Sequence, residues 1–500
     1  MSAPRLAPEQ LEAEVVVVGS GAGGAAAAEQ LAKAGLDVLV LEMGEVLEPK
    51  GFNQREEDMI PRLFQDAGAR TTVDGAITVL QGKGVGGSTL HNLNLCKRVP
   101  DALLDRWAQQ QGLSELPAQL EEAYGVLEEV LAVGPVPSSL VNTNNQHFRK
   151  GCETLGWENG PLLHNRVGCI GSGFCELGCA YNAKMNAARV LLPSAEAAGA
   201  RVLAGTRVER IRHRFGKVSG VSGHTRAGTS FSVHAKAVVL AASATGSPAL
   251  VLASGLGDAH RQAGAGLHLH PGGSVAGLFP DPVRGWEGVP QSWECTEFLD
   301  PLDPERRTWI LPVFAHPVAT AAMLPGFGAE HRARMGGYGR MAACSAMLHD
   351  HGSGRVGATR DGRPRIQYTL DPRDAQAMAR GLAACAQILL AAGAEEVFLP
   401  FAGAPAVRDQ KSAEAVATRI LRRMDPPLAA VHPMGGLRMG SDPRLSAVDE
   451  KGRYHGARGL WVADGSLMPS STGGPPQLTI YALGRIVGRH CAEELGGQSV

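Results

Sequence analysis

The sequence predicts an α/β fold, with a Rossmann-type dinucleotide-binding domain assembled from distant parts of the chain and a second domain that holds substrate. Three observations carry this expectation. Residues 14–42 read as an apolar strand, a glycine loop, an alanine-rich helix and a second apolar strand; residues 237–242 are another apolar strand running into small residues; and an apolar strand at 460–465 arrives so late that it must rejoin the first sheet.

The first unit is the most specific. Gly19 permits the tight turn, Gly21 lets an anionic group approach the backbone, and Gly24 lets the helix pack closely on the strand, so that a pyrophosphate would sit at the helix N-terminus. With 64 glycines in 500 residues a bare GxGxxG arises by chance, but here the flanking strand and helix agree. Glu42, 18 residues after Gly24, is placed to accept hydrogen bonds from an adenosine ribose and would repel a 2′-phosphate. This disfavours NADP and leaves FAD and NAD.

A second glycine-dense loop, Gly82 to Asn92, follows a short strand at 76–80. Leucines and Trp107 at helical spacing predict cap helices over 101–133. Strand signals fall at 201–204, 208–212, 218–221, 230–234 and 237–242, and residues 267–401 read as short strands alternating with loops. The chain ends in an apolar helix over 477–495. The expected division is a discontinuous nucleotide-binding domain (10–100, 200–265 and 425–500), a cap with a cysteine loop (101–199) and a substrate-binding domain (266–424).

Composition narrows the partners. The 48 basic and 49 acidic residues are balanced, with no basic run, so neither nucleic acid nor an anionic membrane surface is expected, and a small molecule is. No stretch approaches 18 uninterrupted apolar residues, so no membrane span is predicted. Residues 1–14 carry Glu9, Glu12 and Glu14 where an export signal needs a basic start and an apolar middle, and the nine cysteines are an odd number. A soluble, cytoplasmic protein without structural disulfides is the expectation.

With the loop Gly86-Gly87-Ser88-Thr89, the block His432-Pro433-Met434-Gly435-Gly436 and the strand leading to Asp464-Gly465 added to the first unit, the chain resembles the glucose-methanol-choline oxidoreductases, flavoenzymes that oxidise alcohols. The resemblance implies an FAD-binding Rossmann-type domain with a substrate domain built on an antiparallel sheet. It implies FAD rather than NAD, with Gly86, Gly87, Ser88 and Thr89 along the pyrophosphate and flavin, and Asp464 and Gly465 near the ribityl chain. The block Leu267-His268-Leu269-His270-Pro271, with Gly277-Leu278-Phe279 and Trp286-Glu287-Gly288, is most similar to members acting on long-chain or sterol-like alcohols.

Hydride transfer from an alcohol carbon to flavin N5 needs a base for the hydroxyl proton, and an imidazole suits that task. His432 matches the family's active-site histidine. The family usually places a histidine or asparagine before a proline about forty residues later, but here Pro475 stands in that place, and proline has no side-chain donor. Gln477 and His270 are the candidates to assist His432. His268 and His270 alternate around Leu269, which on a strand puts both imidazoles on one side, as a polar face lining the cavity or a metal-ligand pair. Met434 and Met439 read as packing, and Arg438 as paired with a carboxylate or carbonyl. The absence of the usual partner also leaves open a non-oxidative, flavin-dependent reaction.

His91, directly before Asn92, stands where choline-oxidising relatives bond covalently to the flavin; it either does so or packs over the ring. Cys169, Cys175 and Cys179, with glycines between them, either hold an iron–sulfur cluster or zinc (His164 completing the set) or are structural thiols. The spacing resembles that of sugar dehydrogenases whose 3Fe-4S centre passes electrons to an outside acceptor. Oxygen or an electron-carrier protein would then reoxidise the flavin.

Overall fold

A computed structural model describes residues 10–352 and 354–498; the first nine residues, Glu9 among them, lie outside it. Two sheets organise the chain. The first has the order Arg201–Leu203, Val38–Leu41, Gln10–Val18, Ser230–Leu240, Lys217–Thr225, Thr206–Arg214, and Leu460–Val462 pairs with the end of Ser230–Leu240 on the edge opposite Gln10–Val18. Its central strands, buried on both faces, are runs of valine and leucine paired in parallel, Val15 to Val18 against Ala237 to Leu240 and against Val38 to Leu41. The late strand does rejoin this sheet, Leu460 opposite Val238. The two strand signals at 230–234 and 237–242 form one strand, because Ala235 and Ala237 stay in register with Ala13 and Val15 across the pair.

Helices Ala22–Lys33 and Gln477–Glu494 cover the first sheet in close contact with each other. The contact depends on small residues. A Cβ on Gly484 would lie 2.3 Å from the Gly23 carbonyl oxygen, and one on Gly488 would lie 2.9 Å from Ala27. Helices Asp101–Gln111 and Leu116–Val130 were expected as a cap. Instead they bury Leu103, Trp107, Leu116, Leu120 and Tyr124 in the core of this same layer, and Leu116–Val130 packs on the C-terminal helix.

The second sheet is mainly antiparallel, in the order Ile77–Val79, Leu428–Ala430, Pro271–Leu278, Met341–Leu348, Thr308–Val313, Trp293–Cys295, Asn159–Pro161. It therefore takes strands from segments on both sides of residues 266–424. Behind it lies Pro372–Ala392, a helix of 21 residues where only short strands and loops were expected. Its signals are in the sequence: Asp371 accepts from Arg373 N–H as N-cap, Pro372 stands at the first position, and Gly393 ends it at φ +110°. By length and composition this helix could cross a bilayer. It instead packs on Thr143–Leu155 and the second sheet, with Leu382, Cys385, Ile388 and Leu389 fully buried.

Candidate active site

A cavity of about 840 Å³ runs between the two sheets, within the range of cofactor and ligand sites. One end is made of backbone. Gly19 leaves the first strand at φ +103°, and a Cβ there would lie 2.3 Å from the Ala241 carbonyl oxygen. A Cβ on Gly23 would lie 1.8 Å from the Ala463 oxygen, and one on Gly24 2.0 Å from the Gly19 oxygen. Gly21 differs, because its nearest neighbour would be Gly87 Cα at 3.9 Å, so its open side faces the cavity it lines. The two glycine loops meet there, and a side chain on Gly87 would collide with Gly21 at 2.9 Å. Together with the N-terminus of Ala22–Lys33, this is a cradle for a pyrophosphate.

Hydroxyls and carboxylates fasten these loops. Ser88 Oγ accepts from Gly82 N–H at 2.8 Å, and Thr89 Oγ1 donates to the Gly86 carbonyl at 2.6 Å and accepts from Ala187 N–H. Glu42 lines the cavity, but its carboxylate accepts from Ser20 N–H and Oγ–H, Gly44 N–H and Gly84 N–H at 2.7 to 3.2 Å. Its first task is thus to clamp the two loops together, and a ribose would have to share it. Asp464 accepts from Ser243 N–H at 2.9 Å, Ser466 N–H at 2.8 Å and the Ser247 hydroxyl; burial raises its pKa, against these donors. Gly465 lines the cavity beside it.

His91 stands on the cavity wall, its ring 4.0 Å from that of Phe64. Burial, with Lys184 adding, pulls its pKa down to about 3, and its Nε2 has no protein partner. A neutral, unpartnered imidazole in a buried wall is a polar atom left for a bound group. The glycine cradle and this atom fit FAD. Asn92 donates to Gln477 Oε1 at 2.7 Å, and Gln477 Nε2 donates to the Leu95 carbonyl at 2.7 Å. Gln477, although it lines the cavity, is therefore committed to the loop and does not meet His432.

At the other end His432 lines the cavity and its Nδ1 lies 2.9 Å from Nδ1 of His270, with ring centroids 5.0 Å apart. One nitrogen donates and the other accepts. Burial, with His270 adding, holds His432 well below the usual imidazole range, and burial lowers His270 to about 4 against the pull of Asp350. Both rings are neutral near pH 7. With its Nδ1–H given to His270, His432 presents a lone pair on Nε2, as a general base requires.

His270 follows a strand, Ala265–Leu267, rather than lying on one, and its φ of +54° breaks the expected alternation. His268 goes instead to Asp350, its Nδ1 3.2 Å from the main-chain oxygen and 3.5 Å from the carboxylate. Neither ring is part of the cavity wall, and they share no metal geometry. Asp350 is the residue sequence reasoning missed. Fully buried, it accepts from His270 N–H (3.3 Å), Leu269 N–H (3.1 Å) and Tyr368 O–H (2.8 Å), so it fixes the unusual backbone that aims His270 at His432. Burial alone would raise its pKa, but His268 and Tyr368 hold it below the usual carboxylate range. The run His349-Asp350-His351 was the available signal. Met434 and Met439 are buried packing residues, and Arg438 donates to the Leu445 carbonyl and Gln262.

Cys169, Cys175 and Cys179 share a small cavity of about 20 Å³ with Arg166 and Lys184. That is room for one water and too little for an iron–sulfur cluster. Gly171 N–H points at Cys169 Sγ (3.5 Å) and Ala183 N–H at Cys179 Sγ (3.2 Å), while His164 is absent from this wall. Two cationic side chains disfavour a zinc dication. Among the described residues no set of three or more His, Cys, Asp or Glu is disposed to hold a metal ion, and all nine cysteines are free thiols. Glu176, on the same loop, reaches the main cavity, and burial pushes it up to about 7 against Lys184.

This combination of a glycine-built dinucleotide cradle and, in the same cavity, a neutral His432 backed by His270 defines a flavin-type oxidoreductase site. Residues 60–272 and 350–484 match the two domains of the GMC oxidoreductases, and residues 17–70 match an NAD(P)-binding Rossmann-like domain. An uncharacterised GMC-type oxidoreductase of Mycobacterium tuberculosis is 39% identical over 95% of this chain and 75% of its own length. A long-chain-alcohol oxidase of Arabidopsis thaliana is 31% identical over 97% of this chain and 68% of its own. Pyridoxine 4-oxidase from Mesorbium loti shares the fold with a TM-score of 0.71 at 19% identity, covering 95% of this chain and 98% of that one. The chain belongs to the GMC oxidoreductase family and is an FAD-dependent oxidoreductase of the class acting on CH–OH groups.

Proposed function

We propose that the protein oxidises an apolar, long-chain alcohol to the carbonyl compound, with His432 removing the hydroxyl proton. The observation that carries this reading is the neutral His432, backed by His270, in the wall of a cavity that Phe314, Met323, Leu324, Met341 and Phe398 also line. FAD, when bound, supplies the two-electron acceptor for the carbinol hydride. The chain does the rest. The apolar wall takes the alkyl tail and excludes water, His432 Nε2 takes the proton, and His270 Nδ1 accepts a hydrogen bond from the imidazolium that results. Pro475 leaves the assisting role to His270, brought from 162 residues away in sequence. The long-chain-alcohol oxidases of Arabidopsis thaliana among the relatives support the substrate class. Oxygen or a carrier protein would return the flavin to its oxidised state.

Anaerobic mixing with alcohols of increasing chain length tests this. Bleaching of the flavin should strengthen with chain length, and His432→Ala should slow it by about 10²- to 10⁴-fold with the flavin retained. Unchanged bleaching in that variant rejects the assignment. Acid precipitation reads whether His91 bonds to the flavin: a yellow pellet with the bond, a yellow supernatant without it. Iron and sulfide analysis of the purified protein should find neither at the three thiols, whose shared pocket is too small for a 3Fe-4S cluster.

A further inference from the structure

We infer that the mouth of the substrate cavity is a docking surface for an anionic lipid bilayer, from which the apolar alcohol enters. This rests on the apolar-substrate reading above.

Met323 and Val431 line the cavity and are also 44% and 45% exposed, which locates its mouth. Two segments flank it. One holds the helices Pro317–Met323 and Gly328–Gly336, which bury no residue fully, and exposes Val318 (59%), Met323 and, between the helices, Phe327 (94%). The other is residues 415–424, where Ile420 is 85% and Met424 59% exposed. Leu324 packs with Phe398, and Arg419 stacks 4.1 Å over Phe401, so both segments attach to the same strand end. Single exposed apolar side chains are ordinary, but a set grouped around an apolar cavity's mouth marks an interaction surface.

Charge selects the occupant. Residues 415–424 contain Arg419, Arg422 and Arg423 and no acid, and residues 306–329 contain no acid either. Among the described residues none of those three arginines, nor Arg332, is in an ion pair; Arg423 donates only to the Asp74 carbonyl. Of the nearby acids, Glu330 pairs with Arg334, Asp425 accepts from Ala402 N–H, and Asp74 accepts from Thr72 O–H and Ala76 N–H, which with Arg423 hold its pKa low. Glu414 is exposed and in no ion pair among the described residues, so cations outnumber free acids on this patch. Protruding aliphatic and aromatic side chains interleaved with unpaired arginines are the chemistry of a bilayer interface with phosphate headgroups. The overall charge balance of the chain conceals this local patch.

The test is sedimentation of the flavin-loaded protein with phosphatidylcholine vesicles, with and without phosphatidylglycerol. The protein should pellet with the anionic vesicles, be released by salt, and bind at least about tenfold more weakly after Ile420→Glu with Met424→Glu, or Arg422→Glu with Arg423→Glu. Each double variant should keep the parent's melting temperature and its turnover of a water-soluble alcohol, while losing turnover of an alcohol embedded in vesicles. No pelleting, or pelleting equal in the variants, overturns the inference. So does intact vesicle binding in variants whose only defect is flavin reoxidation by a carrier protein, since the patch would then dock protein. Sedimentation needs no turnover, so vesicle binding without flavin bleaching by any alcohol would fail the proposed reaction and leave the docking intact.

Discussion

At the nucleotide end of the cavity the wall is main chain, Gly19, Gly21 and Gly23 after a strand of the first sheet and Gly87 after the edge strand of the second, with the first turn of a helix. At the other end the working groups are side chains from three separate segments, His270, Asp350 and His432, held by hydrogen bonds to one another. The first end excludes side chains, and so it tolerates no addition. The second aligns side chains, and so it depends on each partner's charge and reach. Failures at the two ends should differ in kind.

The largest effect is expected from Gly23→Ala. The added Cβ would fall 1.8 Å from the Ala463 oxygen, where backbone has no room to move, so the variant should lose both folding yield and flavin. Gly21→Ala sharpens the contrast, since its Cβ would meet only Gly87 Cα at 3.9 Å and would point into the cavity. That variant should melt like the flavin-free parent yet carry far less flavin, read as absorbance at 450 nm per protein. Equal flavin loading in Gly21→Ala would show that the cradle does not face the cofactor.

That difference also explains what could be read in advance. Gly19, Gly21, Gly24 and the late strand before Asp464 were legible because a backbone-built site writes itself into local spacing. Glu42 was legible as present but not as a clamp, because its partners Gly44 and Gly84 come from loops whose meeting is a tertiary fact. The His270–His432 contact spans 162 residues and requires a left-handed residue at a strand end, which no periodicity signals. Gln477, 45 residues beyond His432 in sequence, turned out to face Asn92 and Leu95. The helix Pro372–Ala392 carried readable caps within a segment read as strands, so the pattern was there and the period was misjudged.

At the histidine end, Asp350→Asn should be intermediate. The neutral amide loses a charge-assisted acceptor for His270 N–H, Leu269 N–H and Tyr368, at a cost of about 2 kcal/mol of stability. Flavin content should be unchanged, kcat should fall by about tenfold or more, and the acid limb of kcat should move to lower pH, because Asp350 raises the affinity of His270 for a proton. A pure loss of melting temperature with kcat and its pH profile intact would make Asp350 structural only.

Acid should separate folding from chemistry. His91, His164, His270, His349 and His432 are all held below the ordinary imidazole range by burial, with His91 at about 3 and His270 at about 4. The unfolded chain takes up these protons once the pH falls below about 6.5, and the folded chain does not. Stability is therefore fully present above that value and is lost as pH falls toward the folded values, by up to about 1.4 kcal/mol per pH unit for each group. The buried carboxylate of Asp350, lowered in the fold, adds a loss only below about pH 4, and Glu176, raised to about 7, offsets the equivalent of one imidazole above it. Melting temperature should decline steeply from pH 6.5 to 4.5. A flat profile would mean that these imidazoles are already charged in the folded protein, and the neutral-base reading of His432 would fail with it.

The smallest effect inverts the first. Gly125 lies inside the helix Leu116–Val130, and a Cβ there meets nothing within 4 Å. Gly125→Ala therefore removes backbone freedom from the unfolded chain without a clash, and should stabilise the protein by about 0.5–1 kcal/mol, a rise of about 1–3 °C in melting temperature, with flavin content and kcat unchanged. The same chemical change that destroys the cradle at Gly23 should thus be mildly favourable only two layers away. A lowered melting temperature would place a close-packed neighbour against this helix face in solution, a second copy of the chain being the simplest, and analytical ultracentrifugation of parent and variant would show it.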